Sequence, residues 1–235
     1  MIGNAISKEN NLLRKILKLE KKIISGPEWL YENILSNKKV IAVSGTHGKT
    51  TVTSMIAHAL VNNNFDPNFL IAGIPKKLKK SWNISNDEVF VIEADEYDTC
   101  YFDKRPKFFH YRPNILLINN IEFDHADIYE NIEMIEKNFF ELIKTMQTNS
   151  KVLINEKKVS KAFKNKLKRE KLKTALRFLS LNASNIHEEN KLLAAYAIED
   201  FISKDKVLSV LDDYTGVKRR FETCLLYTSP SPRDT

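Results

Sequence analysis

The sequence predicts an α/β fold of the P-loop type, with a mostly parallel sheet flanked by helices. Short apolar segments typical of buried strands alternate with segments of helical periodicity, the pattern of parallel sheets with crossover helices. A glycine-containing segment, GTHGKT, stands between one such strand and the next helix. Three of the predicted strands end in polar and charged residues, at 45–50, 93–98 and 122–127. Because ligands bind beyond the carboxyl ends of parallel strands, these loops predict one shared site.

The first elements are read from local patterns. Residues 8–25 carry apolar positions at helical spacing and end in KKIIS, which reads as a short strand. The segment SGPEWLYENIL predicts a helix that begins near Ser25, because proline suits the first turn. KKVIAVSG predicts a buried strand, and residues 50–62 predict the helix that follows the GTHGKT segment.

Two further apolar strands, NDEVFVIEADE and NILLINNIEFDH, carry acidic residues at their ends. Residues 128–147 predict a helix, KVLIN a strand and residues 191–202 another helix, and residues 209–222 close the domain. The last segment, TCLLYTSPSPRDT, has no periodicity and is rich in serine, threonine and proline. It resembles translated adapter sequence, and we expect it to be non-native.

Composition and charge bear on whether the protein binds nucleic acid. The 235 residues are 43% hydrophobic, as in ordinary globular proteins, and the net charge of +7 raises the possibility of a nucleic-acid partner. However, the densest basic run, KNKLKREKLK, lacks interleaved aromatic residues and predicts a solvated helix face. We therefore expect no nucleic-acid partner.

The compartment follows from cysteine usage and from apolar run lengths. The two cysteines, Cys100 and Cys224, form neither a metal-binding spacing nor a disulfide framework, which favours a reducing compartment. No apolar run approaches the roughly 20 residues of a membrane span, and the N-terminus lacks signal-peptide character. We expect a cytoplasmic protein without membrane association.

The first loop has the chemistry of a phosphate site. Gly45 and Gly48 allow backbone N–H groups to point into a concavity, and the following helix contributes its positive N-terminal dipole. Lys49 can reach the outer phosphates, and the Thr50 hydroxyl can bind Mg²⁺. The spacing departs from the long P-loop pattern, since Val43 stands where the first glycine would be. A simple turn is the alternative.

The second and third loops supply metal-binding side chains. EADEYD offers several carboxylates, beginning with Glu93, and strand alternation predicts Asp95 on the same side. Mg²⁺ takes hard oxygen ligands and is usually held by one or two carboxylates. An acidic surface turn is the alternative. In EFDHADIY, His125 lies between two aspartates; a lone histidine is usually structural, but the neighbouring loops favour a ligand role.

Together, GTHGKTT, EADEYD and NNIEFDHADIY resemble, in that order, the central ATPase domain of the Mur ligases. That family joins amino acids or peptides to UDP-N-acetylmuramic acid during cell-wall synthesis. EADEYDTCYFDKRPKFFHYRP and SGPEWL are similar to members that attach a recycled tripeptide, L-alanyl-γ-D-glutamyl-meso-diaminopimelate, to UDP-N-acetylmuramate. The resemblance extends over residues 2 to about 222. It implies an ATP-dependent ligase of peptidoglycan recycling, with these two molecules as its partners.

The resemblance also implies roles for individual residues. Lys49, Glu93 and His125 are the candidate catalytic residues. Thr50, Glu93 and His125 are the candidate Mg²⁺ ligands: Thr50 and Glu93 for one ion, and Glu93 with His125 for a second. AGIPKK resembles a loop near the sugar nucleotide, and NIHEEN resembles an HN-x-x-N segment near the adenine. The candidate ATP-binding residues are Gly45, Thr46, His47, Gly48, Lys49, Thr50, Thr51 and Asn190.

By the same resemblance, residues 1–36 are a remnant of an N-terminal UDP-sugar-binding domain and residues 37–222 a central ATP-binding domain. Residues 223–235 form the non-native tail, in place of a C-terminal peptide-binding domain. The chain is then expected to be a fragment that binds Mg·ATP but does not ligate alone. Three alternatives stay open: a UDP-N-acetylmuramate–L-alanine ligase, a folylpolyglutamate-synthase-like enzyme, against which FDKRPKFFHYRP argues, and a P-loop binding module without ligase activity.

Overall fold

The computed structural model describes residues 1–3, 6–123 and 129–218. The helices are α1 (Asn11–Lys18), α2 (Gly26–Asn33), α3 (Lys49–Asn62), α4 (Phe108–Tyr111), α5 (Ile132–Thr145), α6 (Lys161–Arg169), α7 (Ile186–Ala197) and α8 (Lys204–Leu211). The strands are β1 (Lys39–Ser44), β2 (Asn68–Leu70), β3 (Ile74–Pro75), β4 (Trp82–Asn83), β5 (Val89–Glu93), β6 (Asp98–Cys100), β7 (Asp103–Pro106), β8 (Ile115–Ile118), β9 (Lys151–Asn155), β10 (Ala175–Leu179) and β11 (Val217–Lys218).

A seven-stranded sheet forms the centre of the molecule. Its strand order is β10-β9-β8-β1-β5-β2-β4, and every neighbouring pair is parallel except β2 with the edge strand β4. Strand β1 lies between β8 and β5, so the strands that precede the three predicted loops are direct neighbours. The predicted α/β fold, a mostly parallel sheet flanked by helices, is confirmed.

Two apolar layers cover the sheet because successive side chains of a strand point to opposite faces. Ile41 and Val43 of β1 belong to the core cluster that includes α3, α7 and α8. Val40 and Ala42 belong to the other cluster, which includes residues of α4, α5 and α6. Burying a large aliphatic side chain stabilises a fold by about 1.5–3 kcal/mol, so near-continuous apolar strands are what this two-sided burial requires.

Of the two elements predicted near the N-terminus, the helix that begins near Ser25 is present and the strand in KKIIS is not. Ser25 caps α2 in a capping box, with its hydroxyl accepting from Glu28 N at 3.2 Å and the Glu28 carboxylate accepting from Ser25 N at 3.4 Å. The expected strand in KKIIS is wrong: within the described residues this segment pairs with no strand and makes only an isolated bridge between Ser25 and Ile2.

Several elements were not predicted. Strand β10 joins the outer edge of the sheet, and β6 and β7 form a separate antiparallel hairpin after the EADEYD segment. The basic run belongs largely to α6, where Phe163 and Leu167 are buried and the lysines lie on the outer face, as predicted for a solvated helix. In the described part of the chain, no helix combines the length and the apolar character needed to cross a lipid bilayer.

Candidate active site

Three adjacent strands bring the site together. In the sheet register, Val43 of β1 is aligned with Glu93 of β5, and Ser44 is aligned with Ile118 of β8. Backbone hydrogen bonds continue past the strand ends, from Ala94 N to Val43 O at 2.8 Å and from Asn119 N to Ser44 O at 2.9 Å. The loops that begin at residues 45, 94 and 119 therefore leave the same edge of the sheet side by side.

The GTHGKT loop needs glycine at two positions. Gly45 and Gly48 have φ values of 134° and 81°, which L side chains rarely adopt. A Cβ at Gly45 would lie 2.8 Å from Asn120 O, and one at Gly48 would lie 2.5 Å from the Asn119 side-chain nitrogen. The glycines therefore permit both the turn and its close approach to the loop after β8.

Asn119 and Asn120 brace this loop through the peptide groups of one residue. His47 N donates to Asn120 Oδ1 at 2.8 Å, and His47 O accepts from both asparagine amides at 2.9 and 3.0 Å. The His47 side chain points outward, 66% exposed, with Nε2 3.8 Å from a carboxylate oxygen of Glu122. Thr46 Oγ1 adds a further link, accepting from Glu122 N at 2.9 Å and donating to Glu122 O at 3.1 Å.

Lys49 lies at the first position of α3 and is almost completely buried. Its Nζ donates to Gly45 O at 2.7 Å and to a carboxylate oxygen of Glu96 at 3.1 Å, and lies 3.8 Å from Asp95 Oδ1. Strand β5 ends at Glu93, so strand alternation does not extend to Asp95, and both Asp95 and Glu96 approach Lys49. The lysine is thus folded back onto its own loop and balanced by carboxylates.

Thr50 and Glu93 form a pair of hard oxygen donors at the same edge. Thr50 Oγ1 donates to Glu93 Oε2 at 3.0 Å, while Glu93 Oε1 accepts from Ala72 N at 2.7 Å. Both side chains are buried, so their positions are fixed by packing. No cluster of three or more metal-binding side chains occurs within the described ranges. Since Mg²⁺ keeps several waters and uses one or two carboxylates, one hydroxyl and one carboxylate fit this ion.

Asn190 and Thr51 line a cavity of about 430 Å³ beside the start of α3. Pockets for small organic ligands have volumes of roughly 300–1,000 Å³. His187 of α7 and Tyr214 also line it, with their rings stacked at 6.5 Å between centroids and 22° between planes. The structure therefore places Asn190 near the GTHGKT loop, although Asn190 and Gly48 are far apart in the sequence.

Two buried tyrosines near the acidic loop have raised pKa values. Burial raises the pKa of Tyr129 to about 12, and its hydroxyl donates to Glu96 O. Burial also raises the pKa of Tyr111, helped by the negative charges of Asp95 and Glu93. Both phenols are neutral at pH 7. The carboxylates of the acidic loop lie near lysines instead: Glu96 near Lys49, Asp95 near Lys107 and Asp98 near Lys104.

The predicted site residues fall into two groups. The structure brings those of the GTHGKT loop and Glu93 together at one sheet edge, with Asn190 near them. His125 lies outside the described residues. Sequence reasoning missed the bracing asparagines and the contact of Glu96 with Lys49. The signal for the former was present, because two adjacent amides directly follow an apolar strand in ILLINN.

A parallel α/β sheet with a glycine-bearing loop, a lysine and a threonine at the start of a helix defines the class of P-loop nucleotide-binding folds. Residues 43–209 match the family model described as "Mur ligase middle domain". The chain belongs to the Mur ligase family.

Individual relatives agree with this assignment. The chain is 44% identical over 153 residues to a UDP-N-acetylmuramate–L-alanyl-γ-D-glutamyl-meso-2,6-diaminoheptandioate ligase of Haemophilus influenzae, covering 65% of this chain and 34% of the relative. It is 29% identical over 251 residues to a UDP-N-acetylmuramate–L-alanine ligase of Caldicellulosiruptor bescii, covering 93% of this chain and 54% of the relative.

A solved structure is similar over most of the fold. The UDP-N-acetylmuramate:L-alanyl-γ-D-glutamyl-meso-diaminopimelate ligase of Neisseria meningitidis superimposes with a TM-score of 0.84 at 31% identity, covering 93% of this chain and 79% of that chain. The chain spans only about a third to a half of the length of the two curated relatives.

Proposed function

We propose that this chain is the nucleotide-binding part of an ATP-dependent ligase that joins L-alanyl-γ-D-glutamyl-meso-diaminopimelate to UDP-N-acetylmuramate. The observation that carries the proposal is the convergence of the GTHGKT loop, Glu93 and the loop after β8 at one sheet edge. The substrate assignment is supported by the 44% identity to the tripeptide ligase of Haemophilus, against 29% to the alanine ligase.

The proposed reaction has two steps. A carboxylate oxygen of the sugar nucleotide attacks the γ-phosphorus of ATP, the bond to the bridging oxygen breaks, and ADP leaves with that electron pair. The amine of the tripeptide then attacks the carbonyl carbon of the resulting acyl phosphate and loses a proton, and phosphate leaves. The protein's contribution to such chemistry is positioning and charge neutralisation.

The described residues divide this work. The backbone of residues 45–48 and the N-terminus of α3 face the phosphates, and Lys49 turns from Gly45 O and Glu96 towards the outer phosphates. Thr50 and Glu93 would hold one Mg²⁺, and Glu93 together with His125 is proposed to hold a second. When bound, the ions neutralise negative charge on the phosphate oxygens.

The cavity lined by Thr51, Asn190 and the stacked pair His187 and Tyr214 is proposed to receive the adenine base. Aromatic rings offer stacking surfaces to a base, and the buried Asn190 amide offers both a donor and an acceptor. The cavity lies at the helix whose N-terminus faces the phosphates, so one nucleotide can reach both.

The domain assignment stays a proposal. Residues 37–222 form the proposed ATP-binding unit, with which the family match over residues 43–209 agrees in extent. Residues 1–36 are proposed to belong with the UDP-sugar-binding part, and residues 223–235 lie outside the described residues. We also propose a cytoplasmic location, where both substrates of a recycling ligase would be available.

Nucleotide binding tests the first half of this proposal. We expect Mg·ADP to bind in isothermal titration calorimetry and to raise the unfolding temperature, since a ligand at 100 times its Kd stabilises a protein by about 2.7 kcal/mol. Lys49→Ala should weaken binding at least tenfold, whereas Lys80→Ala, at an exposed lysine, should not. Equal affinity of both variants would contradict the assigned role of the loop.

Substrate choice tests the second half. The chain should be expressed together with the coding sequence that flanks it in its genome, and ADP release measured with UDP-N-acetylmuramate and either the tripeptide or L-alanine. We expect release with the tripeptide. Turnover with L-alanine alone would replace the tripeptide assignment by the alanine ligase.

A further inference from the structure

We propose that Lys107 is a second oxyanion-binding residue of this site, which together with Lys49 holds the phosphoryl group during its transfer. The inference rests on the proposed function, since it concerns the same reaction. Lys107 belongs to the FDKRPKFFHYRP segment, to which no role at the nucleotide site has been given above.

Lys107 and Lys49 share one carboxylate. Lys107 Nζ lies 3.6 Å from Asp95 Oδ2, and Lys49 Nζ lies 3.8 Å from Asp95 Oδ1. Both ammonium groups also lie near the Tyr97 ring, at 5.5 and 5.8 Å from its centroid. Two cations that are far apart in the sequence are therefore neighbours at the carboxyl edge of the sheet.

The backbone holds Lys107 in this place. The hairpin of β6 and β7 leaves the acidic loop and returns to it, and Lys107 N donates to Tyr97 O at 3.1 Å. The Lys107 side chain is 22% exposed, so it is directed by its surroundings but still open to a ligand. Lys104, on the same hairpin, is different: it is 71% exposed and pairs with Asp98.

A transferring phosphoryl group would need more than one cation at this edge of the sheet. The Lys49 ammonium is paired with the buried Glu96 carboxylate, and Lys107 places a second ammonium group beside the same acidic loop. A transferring phosphoryl group carries its charge on three oxygens, and additional cations stabilise it. The Lys107–Asp95 separation exceeds the usual length of a charged hydrogen bond, so Lys107 can exchange this contact for a phosphoryl oxygen.

The test uses Mg·ADP with fluoroaluminate, which stands in for the transferring phosphoryl group. The affinity of the chain for Mg·ADP is measured first, and then the affinity of the Mg·ADP-loaded chain for fluoroaluminate. We expect Lys107→Met to weaken fluoroaluminate capture at least tenfold while the Kd for Mg·ADP changes less than twofold. Lys107→Arg should retain most of the capture, and Lys104→Met should behave as the wild type.

A second measurement on the wild-type chain avoids the question of variant folding. Acetylation of Lys107 by a water-soluble reagent, followed by mass spectrometry, should be slowed at least fivefold by Mg·ADP–fluoroaluminate but not by Mg·ADP alone, with Lys104 unaffected. Absence of Mg·ADP binding would overturn the proposed function itself. Three results would overturn the role of Lys107 alone, each with Mg·ADP binding intact. They are no binding of fluoroaluminate, equal fluoroaluminate affinity of Lys107→Met and the wild type, and an acetylation rate of Lys107 that fluoroaluminate does not change.

Discussion

At the scale of single residues, the loop before α3 depends on backbone shapes that only glycine adopts without strain. Gly48 combines a φ of 81° with a close approach to the Asn119 amide, whereas Gly216 has a φ of 89° with open space around its Cβ position. The two glycines therefore separate the cost of backbone strain from the cost of a steric clash.

We predict that Gly216→Ala lowers the free energy of unfolding by about 1 kcal/mol, the strain of a left-handed L residue. Gly48→Ala should lower it by about 2–4 kcal/mol, because the Asn119 amide must also move and give up its bond to His47 O. Urea denaturation of both variants measures the difference. Equal losses would show that the Asn119 amide yields without cost.

A site residue was predictable from the sequence when the residues next to it in the chain indicate its role. Lys49 and Thr50 follow from a glycine loop between a strand and a helix, and Glu93 follows from an acid at a strand end. Glu96 could not be assigned to Lys49, because that contact depends on how the chain turns after β5. Asn190 could be proposed only by resemblance, since its neighbours in space are distant in the sequence.

At the scale of elements, the carboxyl end of β8 serves as a brace for the GTHGKT loop. We predict that Asn120→Ala weakens Mg·ADP binding about tenfold and lowers the free energy of unfolding by about 1–3 kcal/mol, because His47 N loses its buried acceptor. Calorimetry and urea denaturation measure the two effects. Asn33→Ala is the control, since its amide donates within its own helix; a similar loss there would mean that the brace is unimportant.

The β6–β7 hairpin and α4 are tied by one carboxylate. Arg105 donates two hydrogen bonds to Asp103, at 2.9 and 2.8 Å, and His110 Nε2 lies 2.8 Å from the same carboxylate. The hydrogen bonds from Arg105, helped by the positive charges of Arg105 and His110, hold the pKa of Asp103 at about 2, below its ordinary value of 3.8.

A lowered pKa in the folded state means that this stabilisation is present above pH 3.8 and is lost as the pH falls towards 2. We predict that Asp103→Asn costs about 1 kcal/mol at pH 7, after allowance for solvent screening, and that its difference from the wild type shrinks between pH 4 and pH 2. Urea denaturation across this range is the measurement. Asp205→Asn, on an exposed turn of α8, is the control, and a pH-independent loss in Asp103→Asn would contradict the prediction.

Elements with strong local patterns were predictable, and those defined by tertiary neighbours were not. Strands β1, β5, β8 and β9 read as apolar runs because they are buried on both faces. Strand β10 lies at the sheet edge with mixed exposure, so its sequence lacks that signal. KKIIS has strand composition, but it has no partner strand among the residues that the structure describes, and strand structure requires one.

At the scale of the whole molecule, the two core layers meet at the central sheet. We predict that Leu117→Ala, in fully buried β8, lowers the free energy of unfolding by about 2–5 kcal/mol by leaving a cavity. Leu70→Ala, in β2 beside the edge strand β4 and with the residue 40% exposed, should cost less than half as much. Urea denaturation of the two variants measures this contrast. Equal losses would mean that packing in β2 contributes as much stability as packing in β8.

The strand order has a consequence for how such a protein can diversify. The three loops of the proposed nucleotide site follow adjacent strands in the middle of the sheet, while β10 and β4 lie at its edges, three strand positions from β1 on either side. Insertions or substitutions in the edge strands leave the spacing of β8, β1 and β5 unchanged. Changes at the sheet edges can therefore alter the outer surface of the protein without moving the three loops of the proposed nucleotide site.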